Sequence, residues 1–374
     1  MPDLFGKNLR REELLRRVGR LDQAAGVRLV SLADGPERGV RVLEFRTGTG
    51  FAFDVVVDRA ADIGRCEIGG CPLGWLSPVG FAGPWFDEPE GLGFLRNWGG
   101  GLLTTAGLDH ALFMAEDTAE HYRYPPKETE SHGLHGRVSN RPARLLGYGE
   151  RWGENECVLW AEGEVRQAAV FGENLVLRRR IEARVGESRL TIRDEVENAG
   201  FHPTPHMYLY HVNVGWPVVD EGAELLAPAG NVSPRGDYSS EGYGRFHGPE
   251  KDYVERVFEH DLAVEIGGTV PVGIANRGLG LGFYQVYRPD QLPHHFVWRM
   301  LGEGTYVVGI EPSTNRTAGR LDARERGELT VLEPGERRLY DLELGALSGG
   351  EEIESFADRV GALGGGTARK GAAG

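Results

Sequence analysis

Apolar and polar positions alternate along most of the chain in short runs, and glycine-rich turns separate these runs. This pattern predicts β-strands. The clearest predicted strands are 39–46, 51–57, 157–166, 174–185, 189–198, 280–287, 305–310 and 337–344. Because strands recur at short intervals with no fixed-period repeat, the pattern favours one all-β sandwich or barrel over a propeller or a solenoid.

Two segments differ from this pattern at the ends of the chain. Residues 8–19 have the apolar spacing of a helix, with Asn8 as its N-cap and Gly19 as its end. The last residues are rich in glycine and alanine, which is typical of a flexible tail. We therefore expect a helical extension at 1–24, one β-domain at 25–348 and a flexible C-terminal tail at 349–374.

Residues 71–150 contain few long strand patterns and many glycines, prolines and tryptophans. Long irregular segments inside a domain often carry function, so this segment is a candidate wall of a pocket. A packed surface insertion is the alternative. Within the segment, Arg96 and Asn97 lie next to Trp98 and a run of three glycines, and these residue types suit contact with a sugar.

Composition narrows the classes of function. The chain has 374 residues, 40% of them hydrophobic and 26% charged, as in a globular protein with a sizeable core. The net charge of -14 argues against a nucleic-acid partner and against binding to an anionic membrane surface. The chain shows no signal-peptide pattern and no apolar run long enough to span a bilayer, so we expect a cytoplasmic protein.

Histidines are concentrated at 198–217 and in the loop 131–137. In the first segment the alternation of a strand places His206 on one face and His211 and Asn213 on the other. His206 follows a proline-stiffened loop, which would hold a proton donor rigidly, although this segment taken alone favours a buried, hydrogen-bonded histidine at a strand end. The loop 131–137 contributes His132, His135 and Arg137, and an ordinary polar surface turn is the alternative there.

Glu311 directly follows an apolar strand. A carboxylate in that position is costly unless it faces a cleft or receives hydrogen bonds, and partial desolvation would raise its pKa towards that of a general base. A surface Glu-Pro turn is the alternative.

Two chemistries compete for these groups. A metal could bind some of the histidines together with Glu311, but His132 and His135 lie three residues apart in a loop and lack the helical spacing of a zinc motif. His206 and His211 lie five residues apart, so a regular strand points them to opposite faces. No nucleotide-binding or nucleophile-elbow motif appears either, so we expect no cofactor and no metal. The other chemistry is a metal-free pair in which a base takes a proton from a sugar hydroxyl while an acid protonates the ring oxygen.

Three motifs resemble those of the galactose-mutarotase-like (aldose 1-epimerase) family, in a poorly characterised branch. Leu134-His135-Gly136 resembles the family's LHGG loop, although Arg137 stands where the second glycine is usual. Asn198 followed by Pro205-His206-Met207-Tyr208 resembles its N…NHxYFN segment, although the Asn that follows Tyr-Phe is replaced around His211. Gly309-Ile310-Glu311-Pro312 resembles its late glutamate. The resemblance spans residues 25–345.

The resemblance implies a large β-supersandwich, here with one short N-terminal helix. It also implies His206 as general acid and Glu311 as general base, with His135 and Arg96 (rather than Arg59) contacting the sugar. Asn97, His132, Arg137, His211 and Asn213 complete the predicted substrate-binding set.

The implied activity is the interconversion of the anomers of a monosaccharide or a sugar acid. The polarity of His132, Arg137 and His211 makes an acidic or modified sugar plausible. A sugar-binding protein without catalysis is the alternative from another class, and another sugar isomerase or lyase, with or without a metal, is the third. We expect a monomer or a homodimer.

Overall fold

In the computed structural model, residues 2–119 and 127–364 are described. Short β-strands occupy the N-terminal half: β1 Asp3–Leu4, β2 Lys7–Asn8, β3 Gly26–Ser31, β4 Arg41–Arg46, β5 Phe51–Val56, β6 Asp62–Ile68, β7 Cys71–Pro72, β8 Leu103–Ala106, β9 Ala115–Thr118 and β10 Thr129–His132. Longer strands follow: β11 Arg144–Trp152, β12 Cys157–Ala168, β13 Asn174–Arg184, β14 Arg189–Asn198, β15 Thr204–His206, β16 Leu209–Gly215, β17 Glu224–Leu226, β18 Ala229–Pro234, β19 Arg256–Leu262, β20 Val270–Asn276, β21 Leu281–Tyr287, β22 His294–Gly302, β23 Thr305–Ser313, β24 Thr330–Leu332 and β25 Arg337–Ser348. The α-helices are α1 Arg11–Leu15, α2 Phe94–Asn97, α3 Arg320–Glu325 and α4 Gly350–Gly364.

Two large antiparallel sheets form the body of the protein. One has eight strands in the order β11-β12-β13-β14-β25-β21-β20-β17, and the other has six in the order β18-β19-β22-β23-β16-β8. A five-stranded meander of β3 to β7 forms a third sheet. The all-β supersandwich expected from the sequence is thus confirmed, and so are the eight predicted strands, whose observed bounds differ by a few residues.

The facing surfaces of the two large sheets bury a polar network as well as the apolar core. Arg179 of β13 is completely buried and donates to both carboxylate oxygens of Asp194 and to Asp62. From β16 and the residues just before it, the hydroxyls of Tyr208 and Tyr210 also donate to Asp194, at 2.7 and 2.6 Å. One guanidinium therefore ties the six-stranded sheet and the meander to the eight-stranded sheet.

The N-terminal helix is shorter than the predicted 8–19. It runs from Arg11 to Leu15, and Asn8 pairs in β2 instead of capping the helix. Arg10 is the N-cap residue, and its backbone N–H donates to the Glu13 carboxylate at 2.8 Å. Since only Leu14 of this helix is buried, little apolar packing is available to extend it.

The segment expected to be a flexible tail begins with a docked helix. In α4, Ile353, Phe356 and Val360 are buried against the outer side of β20, β21 and β25. The apolar spacing of these residues is three and four, which places them on one helical face. Residues 365–374, the remainder of the predicted tail, lie outside the described residues.

In their described part, residues 71–143 contain short strands, the short helix α2 and loops, and the first long strand after them is β11, as the sequence indicated. No helix in the described ranges is both long and apolar enough to cross a membrane.

Candidate functional site

Glu311 and His211 lie side by side on the outer face of the six-stranded sheet. β16 and β23 are antiparallel neighbours, and the pairing of Val212 with Ile310 places His211 opposite Glu311. The His211 Nε2 atom is 3.4 Å from Glu311 Oε1. Both residues are nearly inaccessible to solvent: 5% of the surface of His211 and 4% of that of Glu311 is exposed. An imidazole and a carboxyl group therefore share one desolvated position.

Gly309 makes room for this pair. A Cβ atom at this position would collide with Glu311 Oε1 and would approach the His211 Cε1 atom to 3.3 Å. The carboxyl group therefore lies over the backbone of Gly309, two residues before it on the same strand. A side chain at Gly309 would displace the acid.

Aromatic rings surround His211. The ring centroids of Trp98, Trp298 and His135 lie 5.0, 5.3 and 5.4 Å from that of His211. Phe94 lies 5.0 Å from His135, so α2 and the loop after it form one wall. These rings keep water away from the pair.

Hydrogen bonds fix the two tryptophans. Trp98 Nε1 donates to Thr104 Oγ1 at 2.9 Å, and Trp298 Nε1 donates to Glu255 Oε2 at 2.8 Å. Glu255 is exposed and Trp298 is half-buried, so the site reaches solvent on the Glu255 side. His135 adopts a left-handed backbone conformation, with φ of 59°, at the point where its loop turns.

Burial sets the protonation of the pair. It raises the pKa of the Glu311 carboxyl well above its usual range, and the negative charge of Glu255 raises it further. Burial lowers the pKa of the His211 imidazole well below its usual value, with a further contribution from His135. Burial therefore favours the uncharged form of both groups, with the proton of the pair on Glu311 and a neutral imidazole at His211. Glu311 Oε1 and His211 Nδ1 have no hydrogen-bond partner in the described structure.

His206, the predicted acid, is not brought to Glu311. It is completely buried, its Nδ1 lies 2.7 Å from the Leu108 carbonyl oxygen and its Nε2 lies 2.7 Å from the Tyr340 hydroxyl. Its ring packs on Tyr208 and Tyr340 in the protein interior. Both nitrogens are thus used within the protein, which matches the structural alternative considered for this residue.

Arg96 also lies away from the pair. Its side chain is 64% exposed and forms an ion pair with Glu88 at 2.6 Å. Asn97 is buried, and its carbonyl accepts a hydrogen bond from Arg59, the other arginine considered for the sugar contact. Among the described residues, Arg59 donates to the backbone carbonyl oxygens of Ser139, Ala82 and Asn97. Both arginines therefore have contacts that stabilise loops.

The other predicted residues divide into two groups. Asn213 lies on the same face as His211, and its Nδ2 donates to the backbone carbonyls of His211 and Gly101 at 3.0 Å. His132 and Arg137 instead belong to a separate polar cluster around Asp109. Of the loop 131–137, it is His135 that contacts the rings around Glu311.

Sequence reasoning missed Trp298 and Glu255. Neither belongs to a motif, and the signal that would have found them is strand pairing, since Trp298 of β22 lies opposite Gly309 of β23. Among the described residues, no group of three or more histidine, cysteine, aspartate or glutamate side chains has a geometry that could hold a metal ion.

Several solved structures share this fold. A "putative aldose 1-epimerase" from Klebsiella pneumoniae aligns with a TM-score of 0.83 at 22% identity, covering 92% of this chain and 90% of that chain. A galactose mutarotase-like protein from Clostridium acetobutylicum aligns with a TM-score of 0.58 at 10% identity, covering 87% and 99%. Galactose 1-epimerase from Lactobacillus acidophilus aligns with a TM-score of 0.56 at 13% identity, also covering 87% and 99%.

At these identities the alignments establish the galactose-mutarotase-like fold. Comparison with curated proteins gives no match. Residues 37–346 match the family model described as "Domain of unknown function (DUF4432)", and because this match covers most of the chain, the protein belongs to the DUF4432 family.

Proposed function

We propose that the protein is an aldose 1-epimerase-like enzyme in which Glu311 and His211 exchange protons with a sugar. The observation that carries the proposal is the 3.4 Å separation of His211 Nε2 and Glu311 Oε1 in a buried site walled by aromatic rings. An acid and a base held together out of water are what ring opening at an anomeric carbon requires.

The reaction has two proton transfers in each direction. One member of the pair takes the proton of the anomeric hydroxyl, and the other gives a proton to the ring oxygen as the bond between the anomeric carbon and that oxygen breaks. The open-chain aldehyde then rotates about the bond between its first two carbons. Both transfers run in reverse on ring closure, so the opposite anomer forms and the pair regains its starting state.

A pair that holds one proton can perform both roles. Burial favours the state in which that proton lies on Glu311 in the unliganded protein, while His211 has a neutral imidazole able to accept one. The sequence-based expectation of Glu311 as base and His206 as acid is therefore replaced in the proposal by the Glu311–His211 pair. Because ring opening and ring closure reverse each other, each residue acts once as acid and once as base.

The walls of the site favour a sugar as substrate. A pyranose has faces of C–H groups that pack against indole rings, and hydroxyls that hydrogen-bond at its edges. The rings of Trp98 and Trp298, whose centroids are 5.8 Å apart, lie next to the Glu311–His211 pair and offer such surfaces. The names of the Klebsiella and Lactobacillus proteins with this fold agree with this choice.

Saturation-transfer NMR of anomer exchange tests the proposal. A panel of aldoses, uronic acids and deoxy sugars is compared with wild-type protein and with Glu311→Gln. We expect at least one sugar to exchange faster with wild type, and this acceleration to fall by about 10²-fold or more in the variant. If sugars bind but their anomers do not exchange faster, the proposed enzymatic activity is contradicted and a sugar-binding protein is indicated.

A further inference from the structure

Asn213 lies beside the Glu311–His211 pair, but its side chain is out of reach of a ligand. It is completely buried in β16, two residues after His211 and on the same face of the strand. Strand pairing places it opposite Gly309, the residue over which the Glu311 carboxyl lies. This burial argues against the substrate contact expected from the sequence, so Asn213 acts on the site through its neighbours.

Two hydrogen bonds fix the orientation of the Asn213 amide. One terminal atom of the amide lies 3.0 Å from the backbone carbonyl oxygens of both His211 and Gly101. Carbonyl oxygens only accept hydrogen bonds, so this atom is the NH2 group, which has one proton for each of them. The other terminal atom is therefore Oδ1, which can only accept.

The backbone of Asn213 is held as firmly as its amide. Its N–H donates to the Leu102 carbonyl oxygen at 2.8 Å, and its own carbonyl accepts from the Trp75 N–H at 3.1 Å. The amide oxygen is thus presented from a fixed position.

The Oδ1 atom of Asn213 and the Nδ1 atom of His211 complement each other. Both atoms are buried, and neither meets hydrogen-bond geometry with another group in the described structure. Leaving a buried donor and a buried acceptor apart is costly, and these two belong to adjacent side chains on one strand face. The amide also acts on the ring: burial and His135 lower the pKa of His211, whereas the Asn213 side chain raises it.

An acceptor next to Nδ1 decides which tautomer the neutral imidazole adopts. The proton of the ring goes to Nδ1, where the amide oxygen can accept it, and Nε2 keeps its lone pair. Nε2 is the atom that faces Glu311 Oε1, at 3.4 Å. The other tautomer would set a lone pair against the amide oxygen, and its neutral Nε2–H could not take up a proton.

We propose that Asn213 is a positioning residue whose Oδ1 accepts the Nδ1 proton of His211 and so keeps Nε2 free to take up and return a proton. The inference rests on the proposed function, because it names the tautomer with which the Glu311–His211 pair works. The amide then has two tasks: its NH2 group ties the strand to Gly101, and its oxygen sets the state of the ring.

NMR of the histidine ring nitrogens tests the tautomer without turnover. Protein labelled with 15N in histidine is measured near neutral pH, and the signals of His211 are identified by their absence in His211→Asn. We expect a protonated Nδ1 and an unprotonated Nε2 in wild type. Asn213→Leu has a similar volume and no acceptor, so the tautomer with a protonated Nε2 should appear in it.

Turnover provides the second readout. In Asn213→Leu, kcat for anomer exchange per folded molecule should fall about tenfold or more with little change in KM, because the ring is in the wrong tautomer. Asn213→Asp is the conservative variant. Its carboxylate keeps an acceptor for the Nδ1 proton, so the wild-type tautomer should return even though the two backbone carbonyls lose their donor.

Asn198→Leu is the matched control. The Asn198 side chain is equally buried, and its NH2 group also donates to two backbone carbonyl oxygens, those of His202 and Leu332, both at 2.8 Å. This variant should lose a comparable amount of stability, while the tautomer of His211 and kcat per folded molecule stay as in wild type.

A protonated Nε2 in wild type, or the same tautomer in Asn213→Leu as in wild type, would overturn the proposal. Equal losses of kcat in Asn213→Leu and Asn198→Leu would also overturn it, since Asn213 would then only stabilise the fold. If no sugar exchanges faster with wild type while the tautomer changes in Asn213→Leu, the proposed reaction is contradicted and the action of Asn213 on His211 is supported.

Discussion

At the scale of single residues, the site depends on a glycine that leaves space for an acid. The Glu311 carboxyl lies over Gly309, where a Cβ atom would collide with it. Gly309→Ala should displace the carboxyl from His211 and lower turnover by about 10²-fold, since small misplacements of reacting groups have effects of this size. Anomer exchange and thermal unfolding are measured together on this variant.

Gly230→Ala is the matched control for that substitution. Gly230 is also a strand residue, in β18, and an added Cβ atom there would meet only the Asp261 carbonyl oxygen, at an ordinary 3.7 Å. Equal loss of turnover in both variants, or none in Gly309→Ala, would contradict the placement of Glu311.

The pH profile depends on one neighbouring charge. Activity requires the single proton of the Glu311–His211 pair, and burial together with Glu255 raises the pKa at which that proton is lost. Turnover should therefore fall as the pH rises through this elevated pKa, and Glu255→Gln should move the fall to lower pH. The amide oxygen can still accept from Trp298 Nε1, so the wall is kept.

The pH dependence of kcat for wild type and for Glu255→Gln measures this shift. Glu128→Gln, at an exposed position of the β9–β10 hairpin, serves as the control for the loss of one surface charge. An alkaline limb at the same pH in Glu255→Gln and wild type would show that Glu255 does not act on Glu311.

At the scale of elements, the alternation of side chains along β16 separates two roles. Tyr208 and Tyr210 point inwards to Asp194, whereas His211 and Asn213 point outwards. The sequence predicted that His211 and Asn213 share one face, opposite to that of His206. It did not predict which face meets Glu311, because that depends on how β16 pairs with β23, and pairing between distant strands is not visible in a local pattern.

Arg179 provides the test of the buried network between the sheets. Arg179→Met would leave Asp62 and Asp194 buried without their counter-charge, so the free energy of unfolding should fall by about 3–5 kcal/mol. Arg180→Met is the matched control, because its ion pairs with Glu162 and Glu182 are partly exposed and should contribute about 0–1 kcal/mol. Urea unfolding measures both, and similar losses would contradict the assigned role of Arg179.

At the scale of the whole molecule, α4 packs as a helix on the large sheet where the sequence suggested a flexible tail. If the helix is docked, Phe356→Ala should lower the free energy of unfolding by about 3–5 kcal/mol. Asp358→Ala, on the exposed face of the same helix, should have little effect. Chemical unfolding of the two variants measures the difference. An unchanged free energy of unfolding in Phe356→Ala would contradict the docked helix and support the flexible tail.

Much of the architecture was predictable because strands and glycine turns are local signals. The sheet order was not, since β25 lies between β14 and β21, far from both in sequence. Of the candidate site, the sequence marked His135 and Glu311 through motifs and His211 through the histidine-rich segment 198–217, whereas no motif marks Trp298 or Glu255. The cytoplasmic location, the domain limits and the oligomeric state stay predictions.

The most direct test of the central claim compares anomer exchange of one accepted sugar with wild type, Glu311→Gln, His211→Asn and His206→Asn. Turnover is expressed per folded molecule, because His206 is a buried structural residue whose loss lowers stability. The Glu311–His211 pair predicts losses of about 10²-fold or more in Glu311→Gln and His211→Asn, and a much smaller loss in His206→Asn. A severe loss in His206→Asn together with near-normal exchange in His211→Asn would contradict it.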